Sequence, residues 1–222
     1  MAQSRSRNRS NASPIRRSHA VWLSLLGAMT GVGGLLLVLE DRPGTPPGAF
    51  AASPATSARQ SADLGVIFQT REPILSGRWD GIVIHHSGAA VGSPETIAGQ
   101  HEAKGLKGLG YHFVVSNGNG AADGQIHVGY RWDYQLAGAH TAGPQGDYYN
   151  RRTIGICLVG DGERRQFSDA QLERLVDLVA SLQKQLDIPA DKVVLHREIS
   201  ETASPGRLFP EAAFRARLHS AR

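Results

Sequence analysis

Short β-branched runs alternate with helical periodicity along the chain beyond residue 64. Ile82-Val83-Ile84 reads as a buried strand leading into His85-His86-Ser87. Ser93-Pro94-Glu95 joins an N-cap residue to a first-turn proline and predicts a helix to about Lys104, stopped by Gly105. Tyr111 to Val115 alternates as a strand does, Asn117-Gly118-Asn119-Gly120 is turn chemistry, and Gln125 to Val128 predicts the returning strand. Thr153 to Val159 is the most apolar segment here and predicts the central strand. Ser168 and Gln171 form a capping box, after which Leu172, Leu175, Val176, Val179, Leu182 and Leu186 share one helical face. Ile188-Pro189 closes that helix, and Val193-Val194-Leu195 predicts a further strand leading into His196. A short helix containing Phe214 and Leu218 starts near Pro210. Strands alternating with helices predict an α/β fold, a mixed central sheet flanked by helices. That order lets strand ends present side chains into one cleft.

Before residue 64 the pattern changes. Ala20 to Leu39 carries no charged residue, and at about 1.5 Å per residue it reaches roughly 30 Å, the thickness of a bilayer core. Arg5, Arg7, Arg9, Arg16 and Arg17 precede it, and Glu40 and Asp41 follow. This asymmetry predicts one transmembrane helix ahead of the domain, with a cytoplasmic N-terminus. A cleaved signal peptide is the alternative, since Ala49 and Ala51 form an A-x-A pattern. That site lies well past the span, and secretory apolar regions run only about 7–15 residues. Gly27 and Gly31 form a G-x-x-x-G, a weak dimerisation signal. Pro43, Pro46, Pro47 and Pro54 then stand among small residues with little to bury, which reads as a tether. The expected organisation is a basic tail over 1–19, a signal-anchor over 20–39, a linker over 40–63 and one domain over 64–222. The domain would then lie outside the cytoplasmic membrane.

Charge removes one function class. The net charge is +4, but taking those five arginines from the 24 basic residues leaves 19 against 20 acidic ones. With no basic-aromatic stripe remaining, nucleic acid is excluded as a partner. The single cysteine, Cys157, sits in an apolar run and reads as a small buried hydrophobe.

The nine histidines are the candidate chemistry. A zinc-peptidase helix motif is absent, because Gly105 stands where His101-Glu102 would require a second histidine. His85 and His196 are better placed, each closing an apolar strand where side chains project into clefts. For either one alone, a structural histidine is the default.

Five blocks in order add to this: Ile84-His85-His86-Ser87, Gly110-Tyr111-His112-Phe113-Val114-Val115, Gly138-Ala139-His140-Thr141, Ile154-Gly155-Ile156 through Val159-Gly160, and His196-Arg197-Glu198 with Ser204-Pro205-Gly206. From about Trp79 to Pro210 the series resembles the type-2 N-acetylmuramoyl-L-alanine amidases, a family that includes the peptidoglycan recognition proteins and phage amidase lysozymes. The resemblance implies zinc ligation by His85 and His196, with His86 turned to the opposite face. It implies oxyanion stabilisation by Tyr111 and Thr202, and places His140 and Asn150 along the substrate groove. The implied partner is peptidoglycan or its muropeptides. The third ligand of the family is usually a cysteine; here that position is Ser204. A neutral hydroxyl replaces an anionic thiolate, which lowers metal affinity. Glu198 or Glu201 is an alternative carboxylate ligand. Among recognition proteins, serine at this position accompanies loss of amidase activity. The sequence thus supports two readings, a zinc amidase cleaving the bond between N-acetylmuramic acid and L-alanine, and a non-catalytic muropeptide-binding domain.

Overall fold

A computed structural model of the protein describes residues 64–220. The tail, apolar span and linker expected over 1–63 lie outside the described residues. Among those described, no helix is long and apolar enough to cross a membrane.

The β-branched runs pair into one sheet. Strands β1 (Gly81–His86), β2 (Phe113–Val115), β3 (Ile126–Val128), β4 (Thr153–Leu158) and β5 (Val193–Leu195) lie in the order β3-β2-β4-β1-β5. β4 runs parallel to β1 and β2, β5 runs parallel to β1, and β3 is antiparallel to β2, so the sheet is mixed. β4 is buried at every position, as its unbroken apolar run requires.

Side-chain alternation divides the sheet into two faces. Ile82, Ile84, Phe113, Val115, Ile154, Ile156, Leu158 and Leu195 point into the main core, where Leu175, Val179, Leu182, Phe214 and Leu218 meet them. Each such side chain contributes about 1.5–3 kcal/mol on burial. The helices supplying the covering residues run over Asp169–Leu186 and Glu211–Ser220. The other face carries a smaller cluster, Val114, Cys157 and Val159 under Ile97, Leu109 and Tyr111. Since Cys157 is the register partner of His85, His85 emerges on this second face.

In chain order the helices are α1 (Pro94–Glu102), α2 (Tyr130–Asp133), α3 (Gly146–Arg152), α4 (Asp169–Leu186) and α5 (Glu211–Ser220). Both halves of the Ser168/Gln171 capping box are formed, and Asp187 ends α4 in the left-handed conformation. α1 stops two residues before the predicted Lys104. α2 and α3 carry no apolar periodicity and were not anticipated from sequence. β2 is shorter than the predicted Tyr111–Val115 because the His112 imidazole intervenes: its Nδ1 accepts the Gly155 N–H at 2.9 Å, where a strand would offer a carbonyl.

Candidate active site

Parallel pairing brings two distant histidines together. Ile84 is in register with Leu195, so the next residues, His85 and His196, leave the sheet side by side. Their ring centroids are 4.2 Å apart. His196 opens a 3-10 turn, and the chain beyond it folds back onto β1. There the Ser204 carbonyl accepts the Arg197 N–H at 2.8 Å, and Thr202 Oγ1 accepts the Ser204 N–H at 3.2 Å. Ser204 is buried, and its Oγ accepts the His86 N–H at 3.1 Å. His86 itself turns away, its Nδ1 accepting the Gly162 N–H at 3.0 Å.

Around His85 lie Tyr111, with its ring centroid at 5.2 Å, and His140, at 5.0 Å. His140 was expected along a groove; instead it is buried beneath the site, its Nδ1 3.1 Å from His85 Nε2. Asn150 braces its loop. The Asn150 Oδ1 accepts the backbone N–H groups of His140 and Thr141 at 2.8 and 3.0 Å, and its Nδ2 donates to the Thr141 carbonyl at 2.8 Å. The Asn150 amide is thus committed to backbone. On the open side, a cavity of about 750 Å³ is lined by His196, Thr202, Glu201, Tyr149, Ala142 and Gly143.

Burial holds these imidazoles neutral. It pushes His85 and His140 well below the ordinary histidine value, neighbouring histidines acting in the same direction, and lowers His196 to about 4. Neutral imidazole is the form that gives a lone pair to a cation. Burial raises the Tyr111 hydroxyl well above its usual value, with Cys157 beside it adding to the shift, so Tyr111 stays a proton donor.

The donors fit a cation at two corners. His196 Nε2 is buried without a hydrogen-bond partner, an arrangement a bound ion would relieve. Ser204 Oγ, held on the backbone N–H of the residue after His85, has one lone pair already used. Among the described residues no set of three or more His, Cys, Asp or Glu is arranged to hold a metal. The glutamate alternative is therefore corrected. Glu198 Oε2 caps the Leu195 N–H at 2.5 Å while Oε1 pairs with Arg215 at 2.9 Å, and Glu201 is exposed.

Two further histidines frame the site and were not singled out from sequence. His112 is fully buried, donating Nε2–H to the Leu136 carbonyl at 3.1 Å, and its ring packs edge-on against Trp79 at 4.7 Å. His101 Nδ1 accepts the Gly110 N–H at 2.9 Å, and its ring lies 5.2 Å from Tyr111. For His112, only its place in the Gly110–Val115 block hinted at a role; for His101 the sequence offers only the start of a zinc-peptidase helix motif, which Gly105 interrupts.

The sequence profile of the N-acetylmuramoyl-L-alanine amidase family matches residues 75–207, more than half of the chain. Peptidoglycan-recognition protein LB of Drosophila melanogaster is 28% identical over 142 residues, which is 59% of this chain and 56% of that protein. The endolysin of Escherichia phage T7 is 29% identical over 110 residues, 47% of this chain and 64% of the endolysin. The chain thus spans a little over half of these relatives. Among solved structures, the endolysin N-acetylmuramoyl-L-alanine amidase LysCS from Clostridium intestinale URNW superposes with a TM-score of 0.54 at 26% identity, covering 68% of this chain and 91% of LysCS. With the fold, the profile and the relatives in agreement, the chain belongs to the N-acetylmuramoyl-L-alanine amidase family.

Proposed function

We propose that this chain is a zinc-dependent peptidoglycan amidase that hydrolyses the amide between the lactyl group of N-acetylmuramic acid and L-alanine. The supporting observation is the in-register pairing that sets His85 beside His196, whose ring borders an open cavity and whose Nε2 lacks a partner. His85, His196 and Ser204 Oγ would hold the zinc ion, which supplies the Lewis acidity that activates water near neutral pH. The chain's own residues do the rest. Thr202 Oγ1 uses a lone pair on the Ser204 N–H, which leaves its own O–H free to donate to a developing oxyanion. Tyr111, protonated by virtue of its burial, would be the second donor on turning its hydroxyl from Cys157. Such donors contribute about 2.7–4 kcal/mol each to a transition state. The muropeptide stem would lie in the cavity bordered by Tyr149 and Glu201.

A specific observation favours the second reading, a muropeptide-binding domain without catalysis. Ser204 supplies no anionic charge, and its Oγ is already engaged by the His86 N–H. Digestion of purified muropeptides separates the two. The amidase releases free stem peptides beginning with L-alanine, detected by mass spectrometry, and a chelator abolishes their release. Muropeptide retained intact by the zinc-supplemented chain would establish the binding domain instead. For location, we propose an extracytoplasmic domain held by the 20–39 segment, whose uncharged run and flanking charges support an uncleaved anchor.

A further inference from the structure

His140 has two ring nitrogens and three neighbours, and one neighbour cannot donate. The Thr153 carbonyl lies 3.4 Å from His140 Nε2 and only accepts, so Nε2 carries the proton. Nδ1 of a neutral ring is then a lone pair. It lies 3.0 Å from the Thr141 hydroxyl, whose rotatable O–H can point elsewhere, and 3.1 Å from His85 Nε2, whose direction is fixed by its ring. The opposite assignment would set the Nε2 lone pair against a carbonyl oxygen. Two ring lone pairs facing each other at 3.1 Å would repel, so His85 Nε2 is the donor, which leaves Nδ1 as the only lone pair of His85.

The slot that seats this ring is built by glycine. A Cβ at Gly138 would fall 2.4 Å from His140 Cδ2, and one at Gly155 would also fall 2.4 Å from it. These glycines come from two separate sequence blocks, one beside His140 and one in β4. Any side chain at either position would displace the imidazole.

We propose that His140 is a positioning residue that fixes the tautomer of His85, through a relay from His85 Nε2–H to His140 Nδ1 and from His140 Nε2–H to the Thr153 carbonyl. The proposal deepens the zinc reading above and rests on it for its use. A ligand histidine must present one defined lone pair, and the partner of its other nitrogen sets which one. A buried imidazole does this without adding charge, where a carboxylate would add it.

The test is nitrogen-15 NMR of the histidine-labelled full chain in detergent micelles, free of metal. His85 is assigned by its loss in His85→Gln. The expected spectrum has His85 protonated at Nε2 with Nδ1 unprotonated, and zinc moves the Nδ1 resonance. His140→Phe keeps a ring in the slot but removes both nitrogens; His85 then loses its single tautomer, and zinc affinity falls about 10–100-fold. His140→Asn restores an acceptor where Nδ1 stood and recovers both properties. His85 protonated at Nδ1 in the native chain, or unchanged zinc affinity in His140→Phe, overturns the proposal. If His140→Phe does not fold, the native spectrum and the Asn variant decide. If the native chain binds no zinc, the hydrolase reading fails, while the metal-free spectrum still tests the relay.

Discussion

At the scale of single residues, substitution at Ser204 has the largest expected chemical effect. Its hydroxyl occupies the position where the family usually carries a thiolate, so Ser204→Cys restores a negative charge to two neutral imidazoles. Zinc affinity measured by competition with a chromophoric chelator should rise on the order of tenfold or more; an unchanged value would mean that another group completes the set. His112 makes a separate, pH-dependent prediction. Burial lowers it to about 3, so it is neutral in the folded domain. The unfolded chain takes up that proton near pH 6.5, where histidine ordinarily titrates. The unfolded state then binds more protons, and stability falls as pH drops from about 6.5 toward 3. Urea unfolding at pH 7.5, 6 and 5 should show that decline, and it should be shallower in His112→Phe. Parallel profiles would remove His112 from this account. Gly155→Ala drives a methyl group into the His140 ring, at a cost of about 1–3 kcal/mol by the same unfolding assay. A neutral result would show that the slot can relax.

At the scale of elements, Gln171 ties a helix to two strands. It completes the capping box of α4 and is buried, its Nε2 donating to the Val115 carbonyl at 3.1 Å and the Val159 carbonyl at 2.9 Å. The Val115 carbonyl also accepts the Val159 N–H, so Val159 loses more when the amide is removed. Gln171→Ala should destabilise the domain by about 1–3 kcal/mol, with a change under about 0.5 kcal/mol excluding the bridge. The capping box was legible in sequence because it is local, and so were the apolar runs of β1, β4 and β5. The amide's reach into the sheet was not, since it depends on where two strands end in space. The same limit explains His140 and Asn150. Their positions could be matched to a motif, but the burial of His140 and the hydrogen bonds that commit the Asn150 amide to backbone arise only once β4 lies beneath them. The capture of the Gly155 N–H by His112 is likewise a contact between segments, and it shortened β2 against expectation.

At the scale of the molecule, the domain places its chemistry where parallel strands end. α4 and α5 supply the main core on one face, while the histidines gather on the other, where the covering cluster is small. The order of the sequence blocks put these histidines in one series; the geometry that sets the His85 and His196 rings 4.2 Å apart came from register. The 20–39 segment belongs to this scale too. Its deletion should move the chain from the membrane to the soluble fraction, and persistence in the membrane fraction would refute an anchor. The central claim, that two imidazoles and a hydroxyl share a zinc ion, is tested most directly by X-ray absorption at the zinc edge of the full chain loaded with one equivalent. The account predicts two imidazole ligands at about 2.0 Å, oxygen in the remaining positions and no sulfur, with a sulfur shell at about 2.3 Å gained in Ser204→Cys. A sulfur shell in the native chain, or a zinc environment without imidazole, would contradict it.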